Sequence, residues 1–171
     1  RARPDAQISS AGAFLPEPGR VKGLRALLQQ RRSAREFAPL PIRKGLVEQF
    51  MNIFGKMNQC STTFVVLRAE EHRSGIYGEK GPVQEGFFAA EIAALLVNQR
   101  FVASAGAVIV VHTKQPDPSA HLEAGMAAQG CYLLAEANKM GCSGIGAYYD
   151  DALRSFLTLD DEVVYAIAIG A

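Results

Sequence analysis

A short basic segment, residues 31–35, is the part of the sequence whose residue types and spacing most clearly suggest chemistry. It contains Arg31, Arg32, Ser33 and Arg35, so three guanidinium groups and a hydroxyl lie within five residues. Such a set can surround a phosphate, because each planar guanidinium meets two oxygens through charge-assisted hydrogen bonds worth about 1.5–3 kcal/mol each. Basic residues at the end of a helix are also expected because they complement its dipole. The spacing alone leaves both interpretations open.

A glycine-rich segment, residues 141–146, is the second candidate, with the sequence Gly-Cys-Ser-Gly-Ile-Gly. Its glycine order does not fit a dinucleotide-binding fingerprint, and a nucleophile elbow would require glycine in place of Ile145. The missing side chains at Gly144 and Gly146 could instead let the backbone approach a flat or crowded group. The alternative is a helix that ends at Gly141, followed by a tight loop that enters a strand.

Composition excludes several classes of protein. The chain has 171 residues, 49% of them hydrophobic and 20% charged, which predicts one globular domain and excludes a wholly disordered chain. Its apolar runs are too short for a membrane-spanning helix. The three cysteines form no C-x-x-C pair, and the three histidines lack metal-ligand spacing. We therefore expect no metal site, no membrane association, a reducing compartment and a cytoplasmic protein.

The elements that must position these segments follow from periodicity and from proline and glycine. Residues 1–20 contain three prolines and little periodicity, which predicts an extended N-terminal arm before a single domain over residues 21–171. Helices are predicted over residues 21–33, 44–57, 87–98, 121–140 and 150–157. Strands are predicted over residues 62–67, 107–112 and 163–169, and a loop over residues 75–82. The mixture lacks strict strand–helix alternation and predicts an α+β fold in which helices cover a sheet.

The long helix predicted over residues 121–140 has an unusual composition. Gly125 and Gly130 lie within it among alanines, and each interior glycine costs about 0.5–1 kcal/mol relative to alanine. Close approach by another helix would offset that cost. Because the pattern is apolar nearly all round, this helix is either central in the core or buried in a dimer.

Taken in order, these segments resemble one family, the FMN-dependent nitroreductases. Residues 27–37 resemble the family's N-terminal signature, and residues 122–142 are similar to its central helix. Residues 144–151 look like the loop and the short helix that follow it. The closest branch is the SagB-type, azoline-oxidase-like one, since residues 15–18, 75–77 and 99–102 also match its pattern.

The resemblance implies a homodimeric α+β fold with a central, mostly antiparallel sheet, flanking helices and a dimer formed through the long central helix. FMN would bind at the subunit interface. Arg31, Ser33 and Arg35, together with Arg32, would hold its phosphate and ribityl chain. The segment formed by Gly144, Ile145 and Gly146 would lie along the isoalloxazine edge and offer backbone N–H groups. NAD(P)H or an organic substrate would deliver hydride to the flavin N5 atom, and the reduced flavin would pass electrons to an acceptor. The resemblance assigns no catalytic side chain.

Two alternatives stay open at this point. Residues 57–61 are too short to contain the Pro-Ser-x-Gly stretch that members of this branch carry before the first strand, and Lys114 is not followed by the tyrosine that azoline oxidases place there. This favours a degenerate dimer that binds flavin weakly or not at all and acts as a binding or scaffold protein. Nucleic-acid binding is a weaker alternative. Residues 1–45 carry ten basic residues against three acidic ones, but no aromatic residues alternate with the arginines of residues 31–35.

Overall fold

The computed structural model describes residues 23–171. The arm predicted over residues 1–20 lies outside the described residues. The five α-helices of the described part are α1 (Leu24–Gln30), α2 (Leu46–Phe54), α3 (Ala89–Leu95), α4 (Pro118–Ala137) and α5 (Asp150–Leu157), with a short 3-10 helix at Arg100–Ser104. The six strands are β1 (Ser61–Val66), β2 (Gly75–Gly78), β3 (Gly81–Glu85), β4 (Ala107–Thr113), β5 (Gly141–Ile145) and β6 (Glu162–Gly170).

The strands form one antiparallel sheet in the order β3-β2-β1-β4-β6-β5. All seven residues of β4 are buried, as the near-continuous apolar run predicts for a strand covered on both faces. Its register places Ile109 opposite Phe64 of β1 and Ile167 of β6. The α+β fold with a central antiparallel sheet is therefore confirmed.

Helices cover both faces of this sheet. Successive side chains of a strand point to opposite faces, so the adjacent residues Phe64 and Val65 belong to different core clusters. Phe64 packs in one cluster with Phe50 of α2 and the alanines of α4. Val65 packs in the other with Ile92 of α3 and Leu153 of α5. The core thus has two layers, one on each side of the sheet.

Two predicted loops are strands. The predicted loop over residues 75–82 forms most of the β2–β3 hairpin, in which Ile76 pairs with Val65 of β1. The predicted loop over residues 141–146 contains β5, which pairs with β6 from Gly141 to Ile145. Both predictions were wrong for the same reason. Glycine and proline weaken the local preference for strand, and pairing with an existing strand outweighs that preference.

The long helix α4 is displaced by three residues from its prediction. It begins at Pro118 because Asp117 caps it, with Oδ1 of Asp117 accepting hydrogen bonds from the N–H groups of Ser119 and Ala120, each at 2.9 Å. It ends at Ala137, and Lys139 rather than Gly141 adopts a positive φ of 57°. The predicted role of Gly141 as the residue that ends this helix is therefore wrong. Within the described part of the chain, every helix is too short or too polar to span a bilayer.

Candidate functional site

The basic segment lies along the outer edge of β5. Ser33 forms a parallel bridge with Cys142, and the Ala34 N–H donates a hydrogen bond of 2.9 Å to the Cys142 carbonyl. The Phe37 side chain, which is 8% exposed, enters the core and stacks on Phe101 with ring centroids 5.8 Å apart. The segment is thus anchored on both sides of Arg35.

Gly141 makes this close approach possible. A Cβ atom at Gly141 would lie 2.9 Å from a ring carbon of Phe37, closer than such atoms pack in proteins, and 3.0 Å from the Ala34 Cβ, which is an unusually tight contact. The absence of a side chain at Gly141 therefore serves the packing of residues 33–37 on β5.

Three of the four predicted phosphate-binding side chains contact α4 or β5 at this edge. The Arg31 guanidinium lies 4.9 Å from the centre of the Tyr132 ring, a cation–π contact. The Ser33 hydroxyl lies 2.8 Å from the Tyr132 hydroxyl, and either group can donate. Arg35 Nη1 donates to Ser143 Oγ at 3.2 Å. Each of the three residues is therefore held by a side chain of α4 or β5.

Arg32 is placed differently. Its Nη1 donates to the carbonyl oxygens of Gln29 and Arg31, at 2.9 and 3.0 Å, which lie at the end of α1. These are carbonyls that a helix terminus leaves without an intrahelical partner. The helix-capping interpretation of the basic segment thus describes Arg32 in this conformation, whereas Arg31, Ser33 and Arg35 face the tyrosine and β5.

The three residues of the glycine-rich segment have distinct environments. The Gly144 N–H donates to the Tyr132 hydroxyl at 2.7 Å, so it already has a partner within the chain. The Ile145 side chain is 3% exposed and belongs to the core on the α3 and α5 side of the sheet. Gly146 lies just beyond the end of β5, and a Cβ there would meet no atom within 4 Å. Gly146 is therefore the member of this segment with open space beside it.

Sequence reasoning missed two tyrosines at this site. Tyr132 projects from the alanine-rich helix α4, and Tyr165 projects from β6 so that a Cβ at Gly144 would collide with its hydroxyl. The collision explains why residue 144 lacks a side chain. The sequence did contain a signal, because each tyrosine interrupts a run of small or apolar residues. The sequence does not show which residues each tyrosine contacts.

The electrostatics of this edge favour an anion. Within residues 23–171, no carboxylate lies within 4.0 Å of the guanidinium of Arg31 or Arg35. Burial raises the pKa of Cys142 to about 12, while the positive charge of Arg31 acts to lower it. Burial also raises the pKa of Tyr165, so its hydroxyl remains protonated at neutral pH. Two cations and neutral hydroxyl groups thus face this edge.

A second polar cluster lies at His112, Asp161 and Thr63. His112 Nδ1 lies 2.8 Å from Asp161 Oδ2, and His112 Nε2 lies 3.2 Å from Thr63 Oγ1, an order that resembles an acid–base–nucleophile triad. However, Thr63 is 5% exposed and His112 is 6% exposed, so a substrate cannot reach the hydroxyl. We interpret this cluster as a buried hydrogen-bond network that joins β1, β4 and the loop before β6. Among the described residues no group of three or more His, Cys, Asp or Glu side chains is arranged to hold a metal.

Comparison with known proteins gives the family. A sequence profile of the nitroreductase family matches residues 28–171, which is most of the chain, and the chain therefore belongs to this family. Membership supports the prediction of an oxidoreductase enzyme. Among curated protein sequences, none is a significant match to the chain.

Solved structures share the fold at low sequence identity. A nitroreductase-family protein from Anabaena variabilis is 22% identical, with a TM-score of 0.73 over 85% of this chain and 37% of its own. One from Desulfovibrio desulfuricans, in complex with FMN, is 19% identical, with a TM-score of 0.63 over 88% and 86% of the two chains. The NADPH:FMN oxidoreductase from Vibrio harveyi, in complex with NAD+, is 19% identical, with a TM-score of 0.64 over 85% and 67%. The chain spans 37% of the length of the Anabaena protein, and these likenesses concern the fold.

Proposed function

We propose that this chain is an FMN-dependent oxidoreductase whose cofactor phosphate is held by Arg31, Ser33 and Arg35. The observation that carries the proposal is that two guanidinium groups without a carboxylate within 4.0 Å in the described residues, and one hydroxyl, face one edge of the sheet. A phosphate monoester is acceptor-only and doubly charged, which suits this donor set. FMN complexes in the same fold, such as that of the Desulfovibrio desulfuricans protein, support the choice of flavin.

The direction of β5 supports the placement of the rest of the cofactor. The strand runs from Cys142, beside Ser33, to Ile145 and the open Gly146. At about 3.3 Å per residue, Gly146 lies about 13 Å along the edge from Cys142. The flavin ring would lie beside Gly146, whose backbone offers an N–H group, while the Gly144 N–H stays with Tyr132. When bound, FMN supplies hydride and electron transfer at its N5 atom; the chain orients it and holds its phosphate.

A homodimer through α4 is the assembly that we propose. Leu122 is 63% exposed, and Gly125, one helical turn further, is exposed with no atom within 4 Å of a Cβ placed there. Met126 continues the same face and is half-buried. No contact within the described chain accounts for a glycine at position 125. Close approach by α4 of a second copy would offset its helix-propensity cost.

The electron donor and acceptor are part of the proposal. We propose NAD(P)H as the donor, supported by the fold shared with the Vibrio harveyi NADPH:FMN oxidoreductase, and a small organic molecule as the acceptor. The SagB-type branch is proposed on the sequence motifs at residues 15–18, 75–77 and 99–102 alone. A cytoplasmic location is proposed from the three unpaired cysteines.

One observation favours the degenerate alternative. In the short segment before β1, the N–H groups of Asn58, Gln59 and Cys60 donate to the Glu123 carboxylate at 2.7, 2.8 and 3.1 Å. These donors are therefore engaged within the chain, in the segment where the SagB-type branch carries a flavin-site motif. A chain that keeps the fold and the dimer but not the cofactor would have this arrangement.

The experiment that separates the two candidates begins with the purified protein. We expect a yellow protein whose flavin is released by acid as FMN, and whose absorbance near 450 nm bleaches anaerobically with NADH or NADPH. A colourless protein that takes up no added FMN would exclude the enzyme and favour the degenerate dimer. If the protein is yellow but neither nucleotide bleaches it, FMN remains the cofactor and NAD(P)H is excluded as the electron donor.

A further inference from the structure

One tyrosine contacts three of the residues predicted to bind the cofactor. The Arg31 guanidinium lies 4.9 Å from the centre of the Tyr132 ring. The Tyr132 hydroxyl lies 2.8 Å from Ser33 Oγ and 2.7 Å from the Gly144 nitrogen. These residues come from the segment after α1 and from β5, more than 100 positions apart in the chain. Tyr132 thus joins the two parts of the proposed site.

One of the two possible directions of the hydrogen bond between Tyr132 and Ser33 suits an anion. A tyrosine hydroxyl has one proton and two acceptor positions. The Gly144 N–H occupies one acceptor position, because a backbone N–H can only donate. The proton of Tyr132 can then point to Ser33 Oγ, which leaves the proton of Ser33 for an outside acceptor. In this direction a chain of donors runs from Gly144 through Tyr132 to Ser33, and each bond strengthens the next.

The position of Tyr132 is well fixed. Its side chain projects from the middle of α4 and is 9% exposed, and its neighbours Cys131 and Leu133 are buried at 0% and 1%. Gly144 is held in β5 by pairing with Ile167. A binding group supported by a helix and a strand in this way is held more precisely than one on a loop.

We propose that Tyr132 is the positioning residue of the anion site: it directs the Ser33 proton outward and holds Arg31 beside it, so that both are in place before a phosphate monoester binds. The proposal rests on the proposed function in one respect, which is that the phosphate belongs to FMN. Tyr132 itself does not touch the reacting atoms.

The test compares Tyr132→Phe with Tyr148→Phe. Both variants remove only a hydroxyl, and the Tyr148 hydroxyl donates to the Val163 carbonyl at 3.1 Å instead of contacting Ser33 or Gly144. Dissociation constants for FMN and for riboflavin are measured by quenching of flavin fluorescence. We expect Tyr132→Phe to weaken FMN binding about tenfold and riboflavin binding less than about twofold, with Tyr148→Phe changing neither by more than about twofold. Equal weakening of both flavins, or unchanged FMN binding, would overturn the proposal.

Ser33→Ala, alone and combined with Tyr132→Phe, tests whether Tyr132 acts through Ser33. Ser33 lies at the surface, so its replacement is not expected to disturb folding. If Tyr132 acts through Ser33, the double variant binds FMN within about twofold of the weaker single variant, because the second change removes nothing further. Fully multiplicative losses would show that the two hydroxyls act independently and would contradict the proposal.

Inorganic phosphate keeps this test separate from the proposed function. If the wild-type protein binds no flavin, the enzyme proposal fails, and the same variants are titrated with phosphate while the Gly144 amide is followed by NMR. Saturable phosphate binding that Tyr132→Phe weakens about tenfold would support the positioning role. A wild-type protein that binds neither FMN nor phosphate would overturn it.

Discussion

Replacing Arg31 by alanine removes one of the two guanidinium groups that face the proposed phosphate. A charge-assisted hydrogen bond contributes about 1.5–3 kcal/mol, so FMN binding should weaken by a factor of about 10 to 150. In the absence of cofactor, Arg31→Ala loses the cation–π contact with Tyr132, worth about 0.5–1 kcal/mol at a partly exposed site. The loss of FMN affinity should therefore exceed the loss of stability.

Arg32→Ala is the matched control, since Arg32 is the adjacent arginine and caps α1 through the carbonyls of Gln29 and Arg31. Its loss should lower stability by about 0.5–1.5 kcal/mol and leave FMN affinity within about twofold. Both affinities are measured by quenching of flavin fluorescence, and both stabilities by urea unfolding of the flavin-free protein. If the two variants lose affinity equally, or if Arg31→Ala loses stability but not affinity, helix capping accounts for the basic segment and the phosphate assignment is refuted.

Three further predictions concern other parts of the molecule. Glu123→Ala leaves the N–H groups of Asn58, Gln59 and Cys60 without their carboxylate acceptor. Urea unfolding should show that the free energy of unfolding falls by about 2 kcal/mol. An unchanged midpoint would contradict a role for Glu123 in holding the segment before β1. Leu122→Arg places a charge on the exposed face of α4 through which we propose that a homodimer forms. Size-exclusion chromatography with light scattering should show a dimer for the parent and a monomer for the variant, and a dimeric variant would exclude this face. Burial raises the pKa of Cys60 to about 11 and that of Cys142 to about 12, which leaves about one thiolate in a thousand or fewer at pH 8. Ellman's reagent should therefore modify these thiols slowly in the folded protein and rapidly in guanidinium chloride, and rapid modification before unfolding would contradict their burial.

The parts of the fold that the sequence predicted well are those with a strong pattern of their own. The apolar runs of β4 and β6 identify buried strands whatever they pair with, and the long amphipathic or apolar helices extend over enough turns to be recognised. Errors at the ends of α4 arose from local signals. The N-terminal cap at Asp117 and the positive φ of Lys139 replaced the expected start at His121 and the expected end at Gly141.

The parts that the sequence did not predict depend on contacts between distant segments. β5 is a strand because β6 and the segment of Ser33 lie on either side of it, although its glycines favour a loop. In the candidate site, the basic residues could be identified from the sequence. The sequence did not show that Arg31 contacts Tyr132 while Arg32 caps α1. This difference depends on Tyr132, which follows them by about 100 residues and enters the site only when α4 packs beside α1.

The most direct test of the central claim, that this edge of the sheet binds the phosphate of FMN, is a titration of the flavin-free wild-type protein with FMN and with riboflavin. The two ligands differ only in the phosphate. Because two guanidinium groups and a hydroxyl would hold the phosphate, we expect saturation at one FMN per chain and binding of riboflavin at least about tenfold weaker. Equal affinities for the two flavins, or no saturable binding of FMN, would contradict it.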